Sequence, residues 1–134
     1  MLRQGPLRFL VPGALAVLAG MMTWRLVGAD RGAPPATANR AVYDVVCGAA
    51  EAERGGDRDV AERRFVDEAH GPLHDVATAA QARDRRVAGR LFEAKQRVEA
   101  AVERGSGPLE LTALASATRR AVEVADGRDP GDCS

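Results

Sequence analysis

The stretch RRFVDEAHGPLHDV, residues 63–76, holds both histidines of the chain, His70 and His74, four positions apart. Side chains at i and i+4 share one face of a helix. Two imidazoles on one face, joined by a carboxylate, make a donor set for zinc, copper or iron with positions left for water or a partner ligand. Asp67 falls on the same side of such a helix, so Asp67, His70 and His74 are the candidate metal-ligating residues. Glu68 and Asp75 add negative charge beside them. The simpler reading is structural: two exposed imidazoles flank the bend that Gly71-Pro72 imposes, one of them serving the carbonyl that Pro72 leaves free. Haem ligation is disfavoured, because beyond residue 38 only Tyr43, Phe65 and Phe92 are available to line an apolar pocket.

No other residues assemble a reaction. Ser106 lies in a Gly-Ser-Gly turn with no histidine spaced to serve as its base. Gly55-Gly56 and the Gly105–Gly107 turn lack the lysine and preceding strand of a phosphate loop. A non-enzymatic role is the expectation, with no cofactor beyond a transition metal at the histidine pair. Residues 39–134 carry 15 basic and 18 acidic side chains in alternation, not in a basic stripe, which argues against a nucleic-acid partner.

The first 30 residues, MLRQGPLRFLVPGALAVLAGMMTWRLVGAD, set two arginines ahead of an uncharged run from Phe9 to Trp24. A basic start followed by a short apolar run reads as an export signal. Val27-Gly28-Ala29 offers small residues for a signal peptidase. Equally, Arg25 can snorkel and let Leu26 and Val27 lengthen the run into a single membrane anchor, with Trp24 at the interface. Either reading puts residues 1–29 at a membrane during export and the remainder outside the cytoplasm, secreted or membrane-anchored, where an envelope protein is the expected partner. Residues 30–39, DRGAPPATAN, read as a Pro/Ala-rich linker, and the folded domain is expected over 40–134.

Cys47 and Cys133 are the only cysteines. In an oxidising compartment the pair is expected to form a disulfide closing nearly the whole domain. That closure matters because alanine and valine dominate the apolar residues and isoleucine is absent, so each buried side chain contributes little area.

Positioning these residues requires helices. Apolar residues of the first helix, about 40–54, include Val42, Val45, Val46 and Ala49, and Gly55-Gly56 ends it. Asp59 with Glu62 three residues later marks the next start. Phe65, Ala69, Leu73, Val76 and Ala80 keep a 3–4 spacing, continued by Val87, Leu91, Ala94, Val98 and Ala101. This reads as one long central helix kinked near Gly71-Pro72. A break at Asp84 is the alternative, and it gives a four-helix up-down bundle. A last helix is expected over 109–125, ended by Gly127. The fold class is therefore all-α, a small antiparallel bundle of three to four helices after an N-terminal signal or anchor.

The leader, CGAAEAERGGD, FVDEAHGPLH, RLFEAKQRVEAAV and the near-terminal cysteine together resemble small exported helical proteins of GC-rich bacteria that carry no assigned function. The resemblance covers about residues 45–133 and implies a fold and a location, not site residues.

Overall fold

The computed structural model describes residues 36–133, and every regular element among them is helical. The leader and the start of the linker lie outside the described residues. Helix α1 spans Ala36–Arg54, α2 Arg58–Arg63, α3 Pro72–Gln81, α4 Arg85–Arg104 and α5 Leu111–Asp126. A π-helical turn, Arg64–Ala69, carries α2 on toward α3.

α1 starts at Ala36, four residues before the expected boundary, so residues 36–39 belong to a helix and not to the linker. The cause is tertiary. Asn39 is buried and its Nδ2 donates to Asp126 Oδ1 at the end of α5, 2.6 Å away. The cap of α2 is also two residues earlier than expected. Asp57, not Asp59, accepts from the Val60 N–H at 3.1 Å, while Asp59 sits in the first turn, where its charge favours the helix N-terminus.

The expected continuous central helix is interrupted at Asp84, where the backbone is extended and the carboxylate accepts from the N–H of Arg86 and of Val87. A capped start at this point reverses the chain, and α4 runs back beside α3. The bend at Gly71-Pro72 is present, and its mechanism is a widened turn. The His70 N–H donates to the Phe65 carbonyl, five residues back, at 2.8 Å. Pro72 has no N–H to give and its ring crowds the turn before it; the π-turn makes room, so the path bends while His70 and Gly71 keep right-handed helical angles.

α1 and α5 run antiparallel along their length. Asn39 meets Asp126 at one end. At the other, the Glu53 carboxylate accepts from the N–H groups of Leu109, Glu110 and Leu111 at 2.5, 3.1 and 2.8 Å. This distant carboxylate caps α5, whose start falls at Leu111 because Glu110 takes a left-handed conformation, φ 65°. Gly105 and Gly127, also left-handed, close α4 and α5.

The core is built as the composition requires. Ala49, Ala69, Ala80, Ala101 and Ala121 are fully buried and let helices approach closely. Phe65, Leu73, Leu91, Leu111 and Leu114 supply most of the bulk between them.

Candidate functional site

His70 lies where the π-turn hands over to α3, and the bend aims its ring at α4. Its Nε2 is 2.7 Å from Glu99 Oε1 and 3.0 Å from Lys95 Nζ. Lys95 and Glu99, one turn apart on α4, close the triangle with Nζ 2.5 Å from Oε1. Lys95 is the only lysine of the chain and is 5% exposed, whereas the side chain of His70 is 45% exposed.

One imidazole nitrogen has a single in-plane position for either a proton or a lone pair. His70 Nε2 therefore cannot donate to Glu99 and accept from Lys95 together. An arrangement that serves all three groups has the Lys95 ammonium and the His70 Nε2–H both donating to Glu99 Oε1. Donation from Lys95, with a second from His70, holds the Glu99 carboxyl below the usual carboxylate range, although its partial burial works the other way.

His74 is exposed and one helical turn further on. Its ring stands edge-on to His70, 6.1 Å between centroids, and is tilted against Phe92 at 5.8 Å. Phe65 meets the other side of His70 edge-on at 5.8 Å. Asp67 is exposed within the π-turn. Among the described residues no three His, Cys, Asp or Glu side chains come together as a metal-holding group. The structure sets the His70 ring edge-on to His74 and places beside His70 two α4 residues, Lys95 and Glu99, that sequence reasoning overlooked. Their signal was present: a lone lysine among eighteen arginines, one turn after Leu91 on the buried side of an amphipathic helix.

The second assembly is the C-terminal tail. Cys47 and Cys133 are bonded, with Cα atoms 5.3 Å apart, closing a separation of 86 residues. Arg119 grips Asp129 with two parallel hydrogen bonds, 2.9 and 2.7 Å, and also reaches Asp132. Arg40 donates to the Pro130 carbonyl, and the Tyr43 hydroxyl donates to the Gly131 carbonyl at 2.9 Å. Burial pushes the Tyr43 phenol up, and the Arg119 guanidinium holds the Asp129 carboxyl down at about 2. The tail is therefore strapped across α1 and α5 by one covalent bond and by three side chains of those helices, Arg40, Tyr43 and Arg119.

No protein-family model, characterised protein or solved structure matches the chain. Among the described residues no helix is long and apolar enough to cross a membrane.

Proposed function

We propose that the chain is a non-enzymatic helical accessory module of the cell envelope, held outside the cytoplasm and acting by contact with an envelope partner. The observation that carries the reading is the Cys47–Cys133 disulfide, a bond that persists in oxidising compartments and is rare in the cytosol. The basic and then apolar leader, residues 1–29, supports the same location. Crosslinking in intact cells tests the contact, and protease accessibility in spheroplasts tests the location. Discrete higher-mass adducts on an externally cleavable domain are expected. A chain that stays monomeric under crosslinking, or carries two free thiols in every molecule, overturns the proposal.

A second reading, transition-metal binding by His70, His74 and Asp67, is favoured by one contact. Glu99 accepts from Nε2 of His70, the carboxylate–imidazole arrangement that orients ligating histidines elsewhere. The nearby Lys95 ammonium opposes it, since it already supplies a cation to that carboxylate. Chelator-stripped protein titrated with zinc, copper and iron decides the matter beside a His70→Ala, His74→Ala double variant. Equal affinity in the two, or none tighter than about 1 mM, removes this reading.

A further inference from the structure

The two sulfurs of the Cys47–Cys133 bond are unequally placed. Cys47 lies within α1 and is 8% exposed, whereas Cys133, in the irregular tail, is only half-buried. A hollow of about 140 Å³ opens between α1, α5 and the tail, and Cys133 lines it while Cys47 does not. Arg54 and Arg119 stand in its wall with one carboxylate, Asp132, which Arg119 already holds. Arg54 makes no ion pair among the described residues. The hollow therefore carries an unspent cation beside the more accessible sulfur. The tail, meanwhile, does not depend on the bond alone: Arg40, Tyr43 and Arg119 hold Pro130, Gly131 and Asp129, and the Tyr43 hydroxyl stands 3.5 Å from Cys133 Sγ. Under that hold, an opened pair of thiols stays within reach of each other.

We propose that Cys47–Cys133 is a thiol-exchange centre addressed through Cys133, with the hollow beside Arg54 as the entry for an external thiolate. This deepens the envelope reading and rests on it for location. The attacking species is an anion, since the thiolate and not the thiol opens a disulfide, and the Arg54 guanidinium draws it in. It must also reach the sulfur it attacks, and the hollow gives that access at Cys133 and not at Cys47. A new S–S bond forms between the external sulfur and Cys133 Sγ while the Cys47–Cys133 bond breaks. Its electron pair leaves on Cys47 Sγ, which takes a proton from water, and no net oxidation occurs. The reverse step, Cys47 thiolate on Cys133 Sγ, restores the bond and expels the thiol. Where the partner is a dithiol, its second thiolate attacks the external sulfur instead, leaving Cys133 a thiol and the partner a disulfide. The clamp decides between these ends: while Arg119 and Tyr43 keep Cys133 against α1, the return is intramolecular and outruns the second thiol. A purely structural staple needs neither an accessible sulfur nor an unspent cation beside it.

Acid-quenched exchange on the oxidised full chain tests this. The protein is incubated at neutral pH with reduced glutathione or, in a second arm, with reduced thioredoxin lacking its second active-site cysteine, which leaves a mixed disulfide trapped. Acid halts exchange, and digestion with mass spectrometry locates the adduct. The expected result is an adduct on Cys133 at least about tenfold over Cys47, the arm that reacts naming the source as a small thiol or a protein thiol. Arg54→Gln should slow exchange with the anionic 2-mercaptoethanesulfonate at least about threefold relative to the cationic cysteamine, at an unchanged melting midpoint. In Arg119→Gln the clamp is lost and the return of Cys47 slows, so the glutathione adduct on Cys133 should stand at least about fivefold higher at steady state. Adducts shared equally by the two sulfurs, or formed only in denaturant, overturn the proposal. So does a sulfonate-to-cysteamine ratio that Arg54→Gln leaves unchanged, or an adduct level that Arg119→Gln does not raise. Exchange is read on purified protein, so a chain found in the cytosol would remove the envelope reading and leave the exchange centre standing.

Discussion

Lys95 Nζ lies 2.5 Å from Glu99 Oε1, yet the two partners are unequally buried: the lysine side chain is 6% exposed and the glutamate 32%. The asymmetry decides which partner the fold depends on. Removing Glu99 leaves a desolvated ammonium with an imidazole as its only neighbour, while removing the lysine charge leaves a carboxylate that water can reach. Glu99→Ala should therefore cost about 2 kcal/mol or more, and Lys95→Met, which keeps the packed stem, about 1 kcal/mol or less. Urea denaturation of both variants measures this. A larger loss in Lys95→Met would show that the cation is held chiefly by something other than Glu99.

Glu53 gives a second stability prediction. One carboxylate satisfies three N–H groups at the start of α5 from the end of α1. Glu53→Ala should cost about 2 kcal/mol, and Glu53→Gln, with one carbonyl oxygen left to accept, roughly half as much. Hydrogen exchange at Leu111 and Thr112 should rise in the same order. Unchanged protection there would mean that α5 is held by its packing alone.

Acid should release the tail in a narrow window. Asp129 is held at about 2 by Arg119, so its contribution to the fold is complete above the ordinary aspartate range and is lost only as pH falls toward 2. The Gly131 N–H, which donates to Asp129 Oδ1, should stay protected from neutral pH down to about 4 and open below about 3. In Arg119→Gln the opening should move up to about pH 4. A carboxyl titration followed by NMR that shows no difference between the two proteins contradicts the clamp.

Reduction of Cys47–Cys133 should lower the melting midpoint. Chain entropy for a separation of 86 residues gives at most about 4–5 kcal/mol, and the Arg119–Asp129 and Tyr43–Gly131 contacts retain part of the closure without the bond. A drop of about 4–8 °C per kcal/mol follows for a domain of this size. An unchanged midpoint would show that the alanine-rich core stands without its crosslink.

What the sequence by itself determined is the local physics. Helical periodicity, the stops at Gly55-Gly56, Gly105 and Gly127, the bend at Gly71-Pro72 and the pairing of two lone cysteines all follow from spacing and residue type, because each depends on neighbours a few positions away or on there being no other choice. Asp84 shows the limit: the same residue reads as an interruption of a stripe or as a helix cap, and only the packing of α4 back against α3 selects the cap. Tertiary structure alone decided the partners of the charged groups. His70 meets Lys95 and Glu99 across 25 and 29 residues, Glu53 caps a helix that begins 58 residues later, and Asn39 draws α1 four residues into the linker by reaching Asp126. Such contacts leave no periodic trace in the sequence, since a side chain's exposed and buried partners are set by which helices the turns bring together.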